Sequence, residues 1–147
     1  MITGDSGEYH FIVWAGGNYV VEPFHDDDPA VTQGVSTADI VFIRRHILGT
    51  EDLSSPYKII AADANGSASI STLDIVITRS VILGSTAAFS NGRIWEFVRS
   101  DQIFPDPLSP FPFESTRTYT SLLADQYGQN FIAVKLGDVN NNWTPAP

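Results

Sequence analysis

Apolar residues recur at helical spacing twice along the chain. Ile40, Ile43, Ile47 and Leu48 form the first set, and Ile75, Ile82 and Leu83 the second, with Val76 and Arg79 between. Each set follows a serine, Ser36 or Ser71, with an aspartate three residues further on, Asp39 or Asp74. Serine is a strong N-cap, and an acidic side chain in the first turn favours the positive end of the helix dipole. Gly49 and Gly84 stand where the left-handed residue just past a helix end is expected. The pattern predicts two helices whose apolar faces pack on each other about a pseudo-twofold axis. Near the start the period changes to two: Tyr9, Phe11 and Val13, then Tyr19 and Val21, around a turn at Gly16-Gly17-Asn18. That alternation predicts a β-hairpin over residues 8–22. Its open edge needs a cover, and the run Phe131–Leu136 is the expected pairing strand.

The two helical patterns are copies of one unit. Residues 35–49 and 70–84 share Ser36/Ser71, Thr37/Thr72, Asp39/Asp74, Ile40/Ile75, Val41/Val76, Arg44/Arg79, Ile47/Ile82, Leu48/Leu83 and Gly49/Gly84. An ordered set of identities at one fixed offset marks an internal duplication.

Composition narrows the function classes. The chain has 147 residues, 43% hydrophobic and 17% charged, with a net charge of −9. One domain, or one domain with an appended fragment, fits that length. Neutralising phosphates needs clustered Lys and Arg, so neither nucleic acid nor an anionic membrane surface is an expected partner. Cysteine is absent, which excludes disulfides, thiolate metal sites and a cysteine nucleophile. A small exported domain without disulfides needs another staple, and bound metal is one. No stretch is long enough to span a bilayer. Residues 1–8 do not read as a signal peptide, so any export signal is expected upstream or already removed.

Metal chemistry has candidate residues before the second helix. In the numbering of a twelve-residue calcium loop, Asp63, Asn65 and Ser67 take the first, third and fifth places. Ser69 offers its carbonyl at the seventh, and Asp74 closes the loop at the twelfth. Ala68 stands where glycine is usual, and Ser67 where a third acid is common; both departures weaken binding. The first copy is less regular. Aligned strictly, Asp28 comes first and Ala30 falls at the third place; starting from Asp26 and Asp28 needs a longer loop. Asp39 closes the site either way. The competing reading makes Ser36/Asp39 and Ser71/Asp74 capping boxes beside metal-free turns. Asp138-Val139-Asn140-Asn141-Asn142 begins like a further calcium loop, but no helix follows it. It is either a source of an extra ligand or a polar turn.

The paired loop–helix pattern resembles type I dockerins, and more closely a divergent branch found near the C-termini of large secreted bacterial surface proteins. Gly34-Val35-Ser36-Thr37-Ala38-Asp39, Arg45-His46-Ile47-Leu48-Gly49 and the link Ser55–Asp63 carry the resemblance. So do Trp95–Arg99, Phe104-Pro105-Asp106-Pro107, Pro110–Phe113 and Val134–Asn140. The resemblance implies an α+β fold: a duplicated, EF-hand-like calcium loop–helix core with a small antiparallel β element from the N- and C-terminal segments. It implies one or two Ca2+ ions, an extracellular or cell-surface location, and a non-catalytic role in docking a cohesin-like protein. Residues 26–147 form the dockerin-like domain with its Pro/aromatic-rich extension. Residues 1–25 resemble the last strands of a carboxypeptidase-regulatory-like β-sandwich, a frequent neighbour of such domains, or a docked or exchanged strand pair.

Other classes have weaker anchors. The segment Phe104–Phe113 alternates proline with aromatic residues and favours extended chain. It reads as a loop wrapped over the helices with its rings in the core, in preference to an aromatic surface for carbohydrate. Of the three tryptophans, Trp14, Trp95 and Trp143, the last is the one expected to be exposed. His10, His25 and His46 are scattered, no serine sits in a nucleophile-elbow motif, and His46 reads as a packing residue. The expectation is a binder, not an enzyme. The alternatives are a filament-forming structural subunit joined to a neighbouring protomer with calcium as its staple, and a carbohydrate-binding module.

Overall fold

Ser36 and Ser71 fix where the two long helices begin. Both hold extended backbone, at φ −143°, and their hydroxyls accept from Ala38 N and Leu73 N, each at 3.2 Å. Asp39 and Asp74 reach back to the serine N–H groups, each at 2.8 Å, completing a capping box in both copies. Helix α1 runs Thr37–Ile47 and helix α3 runs Thr72–Ile82. Both end on a leucine, followed by Gly49 at φ +64° and Gly84 at φ +68°. The two helices pack against each other. In this computed structural model, residues 3, 7–25 and 31–144 are described.

Helix α2, Pro56–Ala62, lies between them. Ser55 caps it and Pro56 takes a first-turn position, where a missing N–H costs nothing. Among the described residues, four strands make two separate antiparallel ribbons. Strand β1 (Gly17–Val21) pairs with β3 (Arg117–Leu122), with Tyr19 opposite Tyr119. Strand β2 (Trp95–Arg99) pairs with β4 (Phe131–Lys135), with Phe97 opposite Ala133. The architecture is mixed α+β, and no described helix is long and apolar enough to cross a membrane.

Strand pairing departs from the reading of the sequence. Only the second arm of the 8–22 hairpin is a strand; residues 7–14 are not. The segment 131–136 does pair, but its partner is β2. Asn18 shows what holds β1 on β3: its side-chain oxygen accepts from Ser121 N at 2.8 Å across the bulge after Gly17. The two ribbons are tied by Arg117. Its buried guanidinium donates to Asp101 at 3.0 Å, to Gln129 at 2.9 Å and to the Asn130 carbonyl at 2.9 Å. It also lies over the Phe131 ring, 5.3 Å from the centroid.

Among the described residues, two apolar clusters fill the interior. The larger joins Ile43, Leu53, Ile59, Ile60, Val98, Val134 and Val139. Phe104, Phe111 and Phe113 pack against it, so the Pro/aromatic segment does wrap over the core. The smaller joins Val35, Ala64, Val81, Phe89 and Leu136. His46 is half-buried, and its Nδ1 accepts from Leu53 N at 3.4 Å, in keeping with a packing role. The tryptophans divide differently from expectation. Trp14 is 88% exposed, whereas Trp143 is half-buried and meets Trp95 edge-on at 4.9 Å.

Candidate metal centre

The loop from Asp63 to Asp74 folds around its own carboxylates. Asp63 leaves the end of α2, and its two oxygens accept from Ser67 N at 2.9 Å and Ala68 N at 2.8 Å. Asn65 Oδ1 also accepts from Ser67 N, at 2.8 Å, and Asn65 N donates to Asp74 Oδ1 at 3.1 Å. Ser67 Oγ donates to the Ser69 carbonyl at 3.1 Å. The other Asp74 oxygen takes Ser71 N at 2.8 Å and Ser71 Oγ at 3.0 Å. The structure therefore brings Asp63, Asn65, Ser67, Ser69 and Asp74 into one turn. Asp63 and Asp74 are buried, at 4% and 0% exposure.

Asp39, at the start of α1, is also fully buried. Its Oδ2 accepts from Ser36 N and Oγ, at 2.8 and 3.1 Å. Its Oδ1 accepts from Val139 N at 3.1 Å and Asn140 N at 3.2 Å, about a hundred residues away in sequence. Burial raises the Asp39 pKa above the usual aspartate value, against the lowering effect of the Ser36 hydrogen bonds; the nearby Asp138 carboxylate raises it further. Asp26 and Asp28, the other candidate ligands of the first copy, lie outside the described residues.

The Arg93 guanidinium lies against the loop 63–74 and donates to the Asp63 carbonyl at 3.5 Å. Among the described residues, no Lys, Arg or His forms an ion pair with Asp39, Asp63, Asp74 or Asp138. Buried carboxylates held only by N–H and O–H groups gain from a nearby positive charge. Among the described residues, no three His, Cys, Asp or Glu side chains converge. The donors at hand are oxygens: two carboxylates, an amide, a hydroxyl and a backbone carbonyl in the loop 63–74. That set suits a hard cation of calcium type better than zinc, which favours nitrogen and sulfur. Asn140 adds an observation of the same kind: its side-chain Oδ1 is buried and meets no hydrogen-bond donor.

The segment 138–143 repeats part of the bonding of loop 63–74. Asp138 Oδ1 accepts from Asn142 N at 3.2 Å and its Oδ2 from Trp143 N at 2.9 Å. Asp-x-Asn recurs at 63–65 and 138–140, with a helix following only the first. Comparison of the chain with protein-family models, curated proteins and solved structures finds no match.

Proposed function

We propose that this chain is a calcium-stapled, non-catalytic module of an extracellular protein, built on the dockerin plan and used to dock another protein. The observation that carries the reading is the pair of fully buried aspartates, Asp39 and Asp74, at equivalent places on two copied helices. A capping box needs only one carboxylate oxygen. In both copies the second oxygen is turned to another loop, accepting from Asn140 N or Asn65 N. That is the service a calcium loop asks of its last ligand: the helix brings in a carboxylate that closes the loop. In the second copy Asp63, Asn65, Ser67, the Ser69 carbonyl and Asp74 would hold the ion. The ion would supply rigidity and charge balance and no chemistry on a substrate.

Docking rests on what the helices leave uncovered. Val41 on α1 and Leu48 just past its end, and Val76 on α3 and Leu83 just past its end, stand one heptad apart at matching positions, and all four are exposed. Apolar side chains at the same helical face suit a protein surface of complementary shape. Calorimetric titration with calcium after chelation tests the metal. At least one site is expected, abolished by combining Asp63→Ala and Asp74→Ala when only that loop binds. Absence of both binding heat and thermal stabilisation by calcium would leave the loops as plain turns.

A second reading is favoured by the run Phe11–Trp14. All four residues are exposed and the segment is not a strand, although it leads directly into β1. A neighbouring domain or protomer that covers this run would make the chain a structural subunit of a filament with calcium as its staple. Light-scattering mass with and without chelator separates the two; a monomer in both conditions argues against the filament.

A further inference from the structure

We propose that the calcium loop of the first copy is split: its opening half is the C-terminal loop 138–143, and its closing half is the start of α1 a hundred residues earlier in the chain. The inference rests on the reading that loop 63–74 binds calcium, because that loop is the template. The correspondence is bond by bond. Asp63 Oδ1 accepts from the residue four places on, Ser67 N, at 2.9 Å; Asp138 Oδ1 accepts from Asn142 N at 3.2 Å. Asp63 Oδ2 takes Ala68 N at 2.8 Å; Asp138 Oδ2 takes Trp143 N at 2.9 Å. Asn65 N donates to Asp74 Oδ1 at 3.1 Å; Asn140 N donates to Asp39 Oδ1 at 3.2 Å. The loops share a left-handed step at the fourth place, at Gly66 with φ +72° and at Asn141 with φ +60°; loop 63–74 makes a second at Ala68, φ +61°, which Trp143 does not repeat. Asparagine is among the few side chains that take this conformation readily.

Repeated loop geometry is not itself a ligand site, and the buried Asn140 Oδ1 adds an independent reason. Its counterpart, Asn65 Oδ1, accepts from Ser67 N, whereas Asn140 Oδ1 meets no donor. A buried acceptor without a donor, in a loop that also buries Asp138 beside fully buried Asp39, calls for a bound cation or an ordered water. Asp138, Asn140, Asn142 and Asp39 would supply the oxygens, all of the hard type that calcium prefers. The split also accounts for the irregular segment before α1: residues 26–34 need not carry an Asp-x-Asn opening. Gly34 marks where the halves meet. At φ +79°, a Cβ added there would lie 2.8 Å from Trp143 Cβ, so only glycine lets the C-terminal loop seat against the entry to α1.

The consequence is a calcium ion that ties the end of the chain to its first helix. The full chain, stripped with chelator and titrated with calcium, is expected to bind two ions. Asp138→Asn combined with Asn140→Ala should remove one and leave the other, and Asp63→Asn with Asp74→Asn should do the converse. Hydrogen exchange on the unaltered chain guards against misfolded variants. Amides 139–143 should exchange about a hundredfold more slowly at calcium a hundred times above its dissociation constant. Two ions, with the second lost on altering Asp26 and Asp28 and not Asp138, would overturn the split loop. So would a single ion insensitive to Asp138 and Asn140, while leaving loop 63–74 as a calcium site. No binding at all would bring down the calcium reading together with the split loop.

Discussion

Ala68 stands in the left-handed region, at φ +61°, in a position where calcium loops usually carry glycine. A Cβ in that conformation crowds the following carbonyl and costs about 1–2 kcal/mol. Glycine removes the strain, but its freer unfolded chain takes back about 0.4–1 kcal/mol. Ala68→Gly should therefore stabilise the protein by a net of about 0.5–1 kcal/mol. Nothing else in the structure opposes the change. The methyl group is on an exposed residue, so no core cavity opens, and the Ala68 N–H that donates to Asp63 Oδ2 at 2.8 Å is retained. For a chain of this length the gain corresponds to a rise in Tm of about 1–4 °C. The assay is thermal and urea unfolding, in chelator and in calcium, of the wild type and three variants. Ala68→Val should fall below the wild type, since a β-branched side chain tolerates positive φ least. Ala64→Gly should fall too, because Ala64 is fully buried in the smaller cluster and gains no relief of strain. The strain belongs to the backbone turn, so the gain from Ala68→Gly is expected with or without calcium. A Tm for Ala68→Gly equal to or below the wild type in both conditions would refute the left-handed turn, and with it the equivalence of this loop to a calcium loop.

Two further outcomes follow from other parts of the chain. Ser36→Ala and Ser71→Ala each remove an N-cap hydroxyl and one donor to the buried aspartate, at 3.1 and 3.0 Å. Thermal melts in chelator should show a loss of about 1 kcal/mol for each, and nearly the same loss for both. Asp101 is held well below the usual aspartate range by hydrogen bonds from Arg99 and Arg117. Its stabilising contribution is therefore complete above the unfolded aspartate pKa of about 3.9 and is lost as pH falls through the lower folded value. Asp101→Asn should melt below the wild type near neutral pH, and melting curves taken toward acid should converge; a gap that widens in acid contradicts the assignment.

Local features of the chain were legible because local physics sets them. The two capped helices follow from serine, aspartate and glycine placed around an apolar period, and both begin and end within a residue of where those signals stand. Phe104, Phe111 and Phe113 could be assigned to the core because prolines between them leave few other ways to bury the rings. Strand partners were another matter. Tyr19 and Val21 show a strand's alternation, but nothing in it distinguishes Arg117–Leu122 from Phe131–Lys135 as the partner. What decides is a set of side-chain bonds distant in sequence, such as Asn18 to Ser121 N and Arg117 to the Asn130 carbonyl. Trp143 departs from expectation for a related reason: its half-buried place depends on Trp95, brought there by β2.

Under the split-loop proposal, residues 138–143 mark the limit of reading a motif forward along the chain. A calcium loop is recognised by the helix that follows it, yet the requirement is spatial: a carboxylate must close the loop, from wherever the fold brings it. Here α2 and β4 pack together, and Gly137 N donates to the Ala61 carbonyl at 2.8 Å, just before each segment enters its aspartate loop. The two loops therefore leave the core side by side, from Asp63 and Asp138. One meets α3, which follows it in sequence; the other meets α1, which precedes it. Helices α1 and α3 pack as a pair, so under the split-loop proposal the pairing of the two loops would be completed only when the chain closes on itself. A metal at the split loop would act on the whole fold, since it joins α1 to the segment carrying Val134, Leu136 and Val139, buried residues of both apolar clusters. A metal at loop 63–74 would join only neighbours along the chain. Loop-closure entropy grows with the length of chain enclosed, so the split site is the one of the two from which global stability has more to gain.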